Sequence, residues 1–148
     1  MIIRKAETAD YGAIYNLGSH TPEFQVSSSG PFMEQDELLS AIENTKGVFL
    51  VAESDSTIIG FVYASGQDLE RGPRTKWACL VYLVVAREFR KRGIAQKLYD
   101  ACITELKHNG INHVYGWANL ESDKSIINFM EKNGFSTGHH YVWMDKKI

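Results

Sequence analysis

The chain has 148 residues, of which 44% are hydrophobic, 23% charged and 11% aromatic, which suffices for one domain with a hydrophobic core. Its 16 lysines and arginines nearly balance 18 aspartates and glutamates, and a net charge of −2 does not favour nucleic acid as a partner. No apolar run approaches the roughly 20 residues of a membrane-spanning helix, and the N-terminus lacks the apolar region of a signal peptide. We therefore expect a single cytoplasmic domain over residues 1–148, without a membrane partner, whose function is encoded in local motifs.

The first half of the chain alternates short strands with amphipathic helices. Capping residues at positions 8–10 precede an apolar face that contains Ile14 and Leu17, which predicts a helix after the first strand. Two β-branched runs separated by four polar residues predict a β-hairpin. In chain order we expect a strand over 2–5, this helix, a loop over 20–31, a helix over 34–43, strands over 48–52 and 57–64, and a loop over 66–75.

The second half contains a long apolar run that ends abruptly before Arg87, which predicts a central strand. Helical spacing of apolar residues, closed by Asn-Gly pairs, predicts two helices after it. We expect a strand over 76–85, a helix over 92–108, a strand over 113–118, a helix over 122–132 and a terminal strand over 141–144. The order mixes hairpins with two strand–helix–strand units, which indicates an α/β (α+β) sandwich around a mixed sheet.

The most informative segment follows Val85, at the end of the predicted central strand. Arg90, Lys91 and Arg92 form a short basic turn, and Gly93 stands in the predicted first turn of the next helix. Glycine there costs up to ~1 kcal/mol relative to alanine, which close approach of a ligand to bare backbone would offset. The free N–H groups and dipole of a helix N-terminus attract anions, so the segment predicts a phosphate or pyrophosphate site. A solvated basic turn is the alternative interpretation.

Other phosphate-binding motifs fit the sequence poorly. It has no GxxxxGK[ST] segment of a P-loop, and no GxGxxG follows the first strand. Nucleic-acid binding would use basic and aromatic residues spread over a face, whereas these basic residues are concentrated in one turn. That alternative would involve Arg87, Arg90, Lys91, Arg92 and Lys97. It would predict an affinity that falls steeply with salt, and we expect no nucleic-acid partner.

Two segments resemble the GNAT superfamily of acyl-CoA-dependent N-acyltransferases. Residues 90–95 (RKRGIA) fit the family signature R/Q-x-x-G-x-G/A, and Val85 stands five residues ahead, where the family ends its fourth strand. Residues 129–135 (FMEKNGF) are similar to the family's LYxKxGF segment, and the helix between the two matches as well. The resemblance covers residues 76–135. It implies a mixed central sheet of six to seven strands with helices on both faces.

The resemblance also implies acetyl-CoA as the acyl donor, a primary amine as the acceptor, and no metal. In the family the fourth strand splays from the fifth, and the gap accepts the pantetheine arm. Carried over to this sequence, the backbones of Leu83, Val84 and Val85 would pair with pantetheine, and an N–H group near Val84 or Val85 would polarise the thioester carbonyl. The remaining cofactor contacts implied are Arg90, Lys91, Arg92, Gly93, Ile94 and Ala95 at the pyrophosphate, with Asn119 at the end of the fifth strand.

The sequence departs from the family at the residue that many relatives use to protonate the leaving thiolate. That residue is a tyrosine in the fourth helix, and Met130 stands in its place. Tyr82 is the substitute that we name as a catalytic candidate, together with the Val84 backbone. Other substitutes are Tyr99, Tyr115 and Tyr141, and for each tyrosine the alternative is packing with a hydrated hydroxyl group.

Relatives also often carry a glutamate on the fourth strand as a general base, and residues 78–85 contain no carboxylate. Cys79 takes that position and is expected, like Cys102, to be a buried free thiol. Deprotonating a lysine-type amine of pKa ~10.4 at neutral pH costs roughly 4.6 kcal/mol, against about 1.4 kcal/mol for an α-amine of pKa ~8. The chain therefore needs a water relay, an off-strand carboxylate or a less basic acceptor. Off-strand candidates are Glu23, Glu34 and Asp36, with His20, His139 and His140 as weaker ones.

The expected acceptor region comprises residues 20–32 and 66–75, which are polar and aromatic without a clear charge preference. Phe24 and Phe32 either line a pocket there or anchor the loop. A small amine, an amino acid or a peptide amine would fit. The alternative from another functional class is a non-catalytic acyl-CoA-sensing module, which the absent tyrosine and strand carboxylate favour. Because relatives are often dimers, a homodimer is a further expectation by analogy.

Overall fold

The computed structural model of the chain describes residues 1–24, 32–70, 75–121 and 124–148. Its strands are Ile2–Lys5 (β1), Val48–Ser54 (β2), Thr57–Glu70 (β3), Lys76–Val85 (β4) and His113–Gly116 (β5). Its helices are Tyr11–Ser19 (α1), Gln35–Glu43 (α2), Ile94–His108 (α3) and Ser125–Lys132 (α4). Short 3-10 turns cover Thr8–Asp10, Pro22–Phe24 and Arg87–Phe89.

The strands form one mixed sheet in the order β1-β2-β3-β4-β5. Strands β1 to β4 pair antiparallel with their sequence neighbours, and β5 pairs parallel with β4. A parallel pair needs a crossover connection, and α3 supplies it. The expected sandwich around a mixed sheet is confirmed. The sheet has five strands within the described ranges, however, where six to seven were expected.

The predicted terminal strand over residues 141–144 is wrong. These residues have no regular secondary structure, and the side chains of Val142 and Met144 are 87% and 88% exposed. An aromatic and β-branched pattern suits a sheet surface, but a strand forms only where a neighbouring strand bonds its backbone. The segment instead approaches the rest of the chain through Tyr141, whose ring centroid lies 5.9 Å from that of Trp117.

One face of the sheet is covered by α3. The helix presents Leu98, Cys102 and Leu106, which are spaced four residues apart and therefore share one face. They pack in one core cluster with alternate residues of the strands, among them Leu50 and Val62. This packing fixes α3 across β2, β3 and β4, and so fixes the position of its N-terminus beside the end of β4.

The opposite face is covered by α1 and α2. Ile14 of α1 and Leu38 of α2 have no exposed surface, and they pack in a second core cluster with Val51 and Phe61 of the sheet. The intervening strand residues belong to the first cluster, as the two-residue period of a strand requires. Helices on both faces, expected from the sequence, are therefore confirmed.

Some element boundaries differ from the predicted ones. Strand β3 continues to Glu70, through part of the predicted loop, because its end pairs with the first residues of β4. Helix α3 begins two residues later than predicted and β5 ends two residues earlier. Residues 25–31, 71–74 and 122–123 lie outside the described residues, together with the parts of the predicted loops and the predicted start of α4 that fall on them.

A charged cluster fastens β1 to the turn that precedes α1. The Arg4 guanidinium donates to both carboxylate oxygens of Asp10, at 2.7 and 2.9 Å, and to Glu53 at 2.7 Å. The Asp10 carboxylate also accepts the Glu7 backbone N–H at 2.8 Å. These contacts, chiefly the hydrogen bonds from Arg4, hold the pKa of Asp10 below its usual range.

A carboxyl group whose pKa is lowered by folding stabilises the folded state at pH values above its unfolded-state pKa. That contribution is lost as the pH falls through the folded-state pKa of the group. We expect Arg4→Met, which keeps the aliphatic stem, to lower the free energy of unfolding by about 1 kcal/mol at neutral pH. The difference from the unmodified protein should shrink in acid, once the pH falls below ~4. Urea denaturation at neutral and acidic pH measures the free energy of unfolding of the variant and of the unmodified protein. A difference that grows in acid would contradict the prediction.

Candidate active site

Strands β4 and β5 pair over only the first part of β4. Their last pair of partners is Leu80 and Gly116, after which β5 ends. Val81 is a bulge, because its two neighbours in β4 pair with consecutive residues of β3. Beyond this point, within the described residues, no strand pairs with the other edge of β4. The edge of β4 over residues 81–85 therefore has no strand partner in the described ranges, and we call this unpaired edge the β4 gap.

The backbone groups that face the β4 gap follow from strand alternation. The N–H of Ala86 donates to the carbonyl of Ile59 in β3 at 2.9 Å. Peptide groups of successive residues point to opposite sides of a strand, so Val84 also faces β3, whereas Leu83 and Val85 face the gap. The expectation grouped Val84 with its neighbours as a ligand contact. The structure instead directs the Val84 N–H at β3. It leaves the backbone of Leu83 and the N–H of Val85 facing the gap, whereas the Val85 carbonyl accepts a hydrogen bond from Arg90.

The turn between β4 and α3 presents its backbone to solvent. Lys91 and Gly93 both have left-handed backbone conformations, with φ of 61° and 76°. Among the described residues other than its two chain neighbours, none has an atom within 4 Å of the position of a β-carbon at Gly93. The Lys97 N–H donates to the Gly93 carbonyl at 3.1 Å, so the N–H groups of residues 94–96 precede the first bond of α3. Together these groups provide an anion-binding concavity at a helix N-terminus.

Gly93 was placed in the first helical turn by the sequence analysis, on the argument that a ligand approaches its backbone. The structure makes it the cap residue that precedes α3. Its positive φ already favours glycine, because a β-carbon strains this conformation. The absence of neighbours around the β-carbon position leaves room for a ligand in addition.

The three basic side chains of the turn differ in their contacts. The Arg90 Nε donates to the Val85 carbonyl at 3.0 Å, which fastens the turn to the end of β4. The Arg92 guanidinium lies over the ring of Phe89, 5.4 Å from its centroid, at a cation–π distance. Lys91 is exposed. The sequence prediction assigned the pyrophosphate to N–H groups of residues 90–95, assisted by the side chains of Arg90 and Arg92, and both of these side chains have packing contacts of their own. The backbone is therefore the more direct candidate for phosphate contact.

A cleft of about 320 Å³ lies between α2 and the sheet, beside the bulge at Val81. It opens on the face covered by α1 and α2, at the end of the β4 gap opposite the basic turn. We call it the α2 cleft. Polar and apolar side chains from three elements line it, among them Glu37, Ser40, Tyr63, Ser65, Val81 and Tyr82.

Tyr82 is the predicted catalytic tyrosine that the structure brings to the α2 cleft. Its hydroxyl donates to the Phe32 carbonyl at 3.3 Å, and its ring lies 4.8 Å from that of Phe24 and 5.0 Å from that of Phe32. Burial, with a smaller contribution from the nearby Glu37 charge, raises the pKa of Tyr82 to about 12. The phenol therefore stays protonated at physiological pH and acts as a hydrogen-bond donor. Phe24 and Phe32 pack around it and anchor the adjoining chain.

The other tyrosine candidates lie elsewhere. Tyr99 packs its ring on Phe129, at 5.6 Å, between α3 and α4, and burial raises its pKa. Tyr115 lies on β5 as the partner of Cys79. Tyr141 is 71% exposed in the C-terminal segment. Met130, at the position of the family tyrosine, is buried and contributes an apolar side chain.

The carboxylate in the α2 cleft is Glu37, which the sequence analysis missed. The predicted candidates Glu23, Glu34 and Asp36 are exposed, as Glu37 is, but they do not line this cleft. Asp36 lines a separate, shallow depression of about 480 Å³ on α2. Helical spacing gives only a partial signal for Glu37. It lies four residues before Ala41 in α2, and Ala41 is buried against the sheet.

Other predicted candidates have local structural contacts. Asn119 follows the end of β5, and its Oδ1 accepts the Glu121 backbone N–H at 2.8 Å, as in a turn. The His20 ring lies 2.7 Å from the Asn16 carbonyl, and His139 and His140 are exposed in the C-terminal segment. The cysteines Cys79 and Cys102 are buried free thiols, as expected, and burial raises the pKa of Cys102 to about 12.

A strand gap that leads to a helix N-terminus is the arrangement expected from the sequence resemblance, and comparison with known families agrees. The sequence model described as "Acetyltransferase (GNAT) family" matches residues 12–135. The chain therefore belongs to the GNAT acetyltransferase family. Curated proteins gave no match to the sequence. None of the helices in the described ranges combines the length and apolar character needed to cross a lipid bilayer.

Solved structures share the fold at low sequence identity. A mutant of the BH1408 protein from Bacillus halodurans has a TM-score of 0.81 at 19% identity, with 99% of this chain and 100% of that chain covered. The aminoglycoside N-acetyltransferase AAC(6')-Iy, in complex with CoA, has a TM-score of 0.74 at 18% identity, with 99% of this chain and 100% of that chain covered. The aminoglycoside 6'-N-acetyltransferase AAC(6')-Ig from Acinetobacter haemolyticus has a TM-score of 0.75 at 22% identity, with 100% of this chain and 99% of that chain covered. These likenesses establish a GNAT-like α+β fold.

Proposed function

We propose that this chain is an N-acetyltransferase that transfers the acetyl group of acetyl-CoA to a primary amine, as a single domain over residues 1–148. The observation that carries the proposal is the continuity of the β4 gap. It begins at the α2 cleft beside Val81, follows the free edge of β4, and ends at the open backbone turn around Gly93. One ligand with an acyl thioester at one end and phosphates at the other suits this path.

The residues present fit acetyl-CoA. From Val81 to Val85 the strand edge is about 13 Å long, at roughly 3.3 Å per residue, and an extended amide-containing arm can lie along it. The backbone of Leu83 and the N–H of Val85 face that arm. At the far end, the N–H groups of residues 91–95 suit the pyrophosphate, whereas that of Arg90 donates to the Arg87 carbonyl. The open space at Gly93 accommodates the pyrophosphate.

The chemistry is a direct attack by the amine on the thioester carbonyl. Of the N–H groups that face the β4 gap, that of Leu83 lies nearest to the α2 cleft in the strand, and we assign it to the developing oxyanion. The Tyr82 hydroxyl donates to the Phe32 carbonyl in this structure, and it supplies a second donor to the ligand by turning away from that carbonyl. Moving a proton from a phenol of pKa about 12 to a thiolate of pKa ~8.5 is uphill by roughly 4.8 kcal/mol. Tyr82 therefore stabilises the leaving sulfur by a hydrogen bond, without releasing its proton.

Replacing Tyr82 by phenylalanine tests this role. A hydrogen bond to a charged group contributes about 1.5–3 kcal/mol, so Tyr82→Phe should lower kcat by about 10-fold or more. Because the pKa of Tyr82 is about 12, the loss should be the same across neutral and mildly alkaline pH. The matched control is Tyr99→Phe, a phenol on α3 outside the cleft, which should leave kcat unchanged. Equal kcat values for the two variants would remove Tyr82 from the mechanism.

The proposed function itself is tested by incubating the purified chain with acetyl-CoA and a panel of primary amines, with mass detection of the acetylated product. Release of CoA that depends on the amine supports the enzyme. Tight acetyl-CoA binding without turnover across the panel would instead support the acyl-CoA-sensing alternative. Affinity for DNA or RNA that falls steeply with salt, without acetyl-CoA binding, would contradict both.

A further inference from the structure

We infer that Glu37 holds the ammonium group of the acceptor in the α2 cleft and accepts one of its protons, which makes the acceptor a small cationic primary amine. This inference rests on the proposed function and deepens it, because it assigns the general base and the substrate class. Neither the sequence pattern of the family nor the comparisons point to this residue.

Glu37 lies at the edge of the buried face of α2. Ala41, one turn after it, is buried against the sheet, whereas the Glu37 side chain is exposed at the mouth of the cleft. It lines the cleft together with Ser65 of β3 and Tyr82 of β4. The Glu37 charge contributes, after burial, to the raised pKa of Tyr82.

The charge of the cleft favours a cation. Glu37 is the one charged side chain among the described residues that line it, and no lysine or arginine contributes to the lining. Helix α2 has no basic residue, and its other carboxylates are Asp36 and Glu43. An incoming ammonium group therefore meets a carboxylate that has no basic partner within the cleft. A volume of about 320 Å³ suits one small amine or the end of a side chain.

The reaction needs a proton acceptor that β4 does not supply. The ammonium loses one proton to the Glu37 carboxylate, which passes it to solvent, and the nitrogen lone pair forms the C–N bond at the thioester carbonyl. The C–S bond then breaks, and the second proton leaves the nitrogen for the CoA sulfur. The products are an N-acetyl amide, CoA thiol and one proton in solution. A general base of this kind contributes about 10²-fold or more to the rate.

Few other groups near Glu37 can titrate. Tyr63 from β3 and Tyr82 from β4 face the cleft, and burial raises the pKa of Tyr82 to about 12. Asp36 is the neighbouring carboxylate on α2 itself and lines the separate depression on the other side. At alkaline pH, the pH dependence of kcat/KM for the Glu37→Gln variant should therefore follow deprotonation of the substrate amine in solution.

The experiment compares Glu37→Gln with Asp36→Asn, which removes an equal charge from the same helical turn outside the cleft. The acceptors are spermidine, Nα-acetyl-lysine amide and alanine amide, with kcat/KM measured from neutral to alkaline pH. We expect Glu37→Gln to lower kcat/KM by about 100-fold for the two more basic amines at neutral pH. The decrease in kcat/KM should be smaller for alanine amide, whose α-amine is already partly deprotonated at neutral pH. For all three amines the decrease should become smaller as the pH rises. Asp36→Asn should stay within about two-fold.

Two measurements separate failure of this inference from failure of the proposed function. CoA affinity should be unchanged in Glu37→Gln, which also confirms that the variant is folded, and Glu37→Asp should recover part of the rate. If the unmodified chain acetylates these amines and the Glu37 and Asp36 variants have equal pH profiles, the inference is overturned and the function stands. If the unmodified chain acetylates none of them and other acceptors are turned over, the assigned substrate class is wrong. If no amine is acetylated, the proposed function fails, and the inference fails with it.

Discussion

Replacing Gly93 by aspartate is expected to weaken CoA binding by about 30-fold or more. The new carboxylate would occupy open space at the turn, where the proposed function places the pyrophosphate. Two like charges about 4 Å apart repel by roughly 1 kcal/mol in water and about 4 kcal/mol at an effective dielectric constant of 20. A loss of about 2 kcal/mol corresponds to the stated change in affinity. Isothermal titration with CoA measures it.

The matched control is Gly93→Asn, which has nearly the same shape without the charge. Asparagine tolerates a left-handed conformation better than most residues, so this variant should fold and bind CoA with a modest loss. Gly110, which also has a positive φ with open space around its β-carbon position, lies at the other end of α3. Gly110→Asp should leave CoA affinity unchanged. Equal affinities for Gly93→Asp and Gly93→Asn would remove the phosphates from this turn.

Replacing Leu98 by alanine is expected to lower the free energy of unfolding by about 3–5 kcal/mol. Leu98 has no exposed surface, and its Cδ1 lies 3.2 Å from the position that a β-carbon on Gly60 would take. The leucine therefore packs directly on the backbone of β3 opposite Val85, and its truncation leaves a cavity beneath the end of β4. In a domain of this size the melting temperature should fall by about 10 °C or more.

Thermal unfolding of Leu98→Ala beside Lys97→Ala tests this packing. Lys97 is the preceding residue of α3 and is exposed, so its truncation should change stability by no more than about 0.5 kcal/mol. Addition of CoA should still raise the melting temperature of both variants, because binding to the folded state stabilises it by mass action. A Leu98 variant as stable as the Lys97 variant would mean that α3 is not anchored at this position.

Local patterns predicted most of the fold. The stripe of Leu98, Cys102 and Leu106 defines an amphipathic helix, and the apolar run of β4 defines a central strand, because both patterns depend on near neighbours in the sequence. The prediction of a terminal strand was wrong because strand formation depends on distant residues. Residues 141–144 have a pattern that suits a strand, but pairing with a distant segment decides whether one forms. Similarly, the extension of β3 to Glu70 depends on its pairing with β4.

The candidate site was predicted in outline, and its details required the fold. The motif over residues 90–95 predicted an anion site, but the contact of Arg90 with the Val85 carbonyl depends on how the turn folds back. Which peptide groups of β4 face the gap depends on its pairing with β3, which turns Val84 away. Glu37 could not be identified from the sequence alone, because only the packing of α2 on the sheet places it in the α2 cleft with Ser65 and Tyr82.

Amide hydrogen exchange resolved by residue, with and without acetyl-CoA, tests the central claim most directly. The account predicts that acetyl-CoA slows exchange at the N–H groups of Leu83 and Val85 and at those of residues 94–96, each by about 10-fold or more. The N–H of Val84, directed at β3, should change much less than its two neighbours. If acetyl-CoA binds while exchange at Leu83, Val85 and the α3 N-terminus is unchanged, the ligand does not lie in the β4 gap, and the account is contradicted.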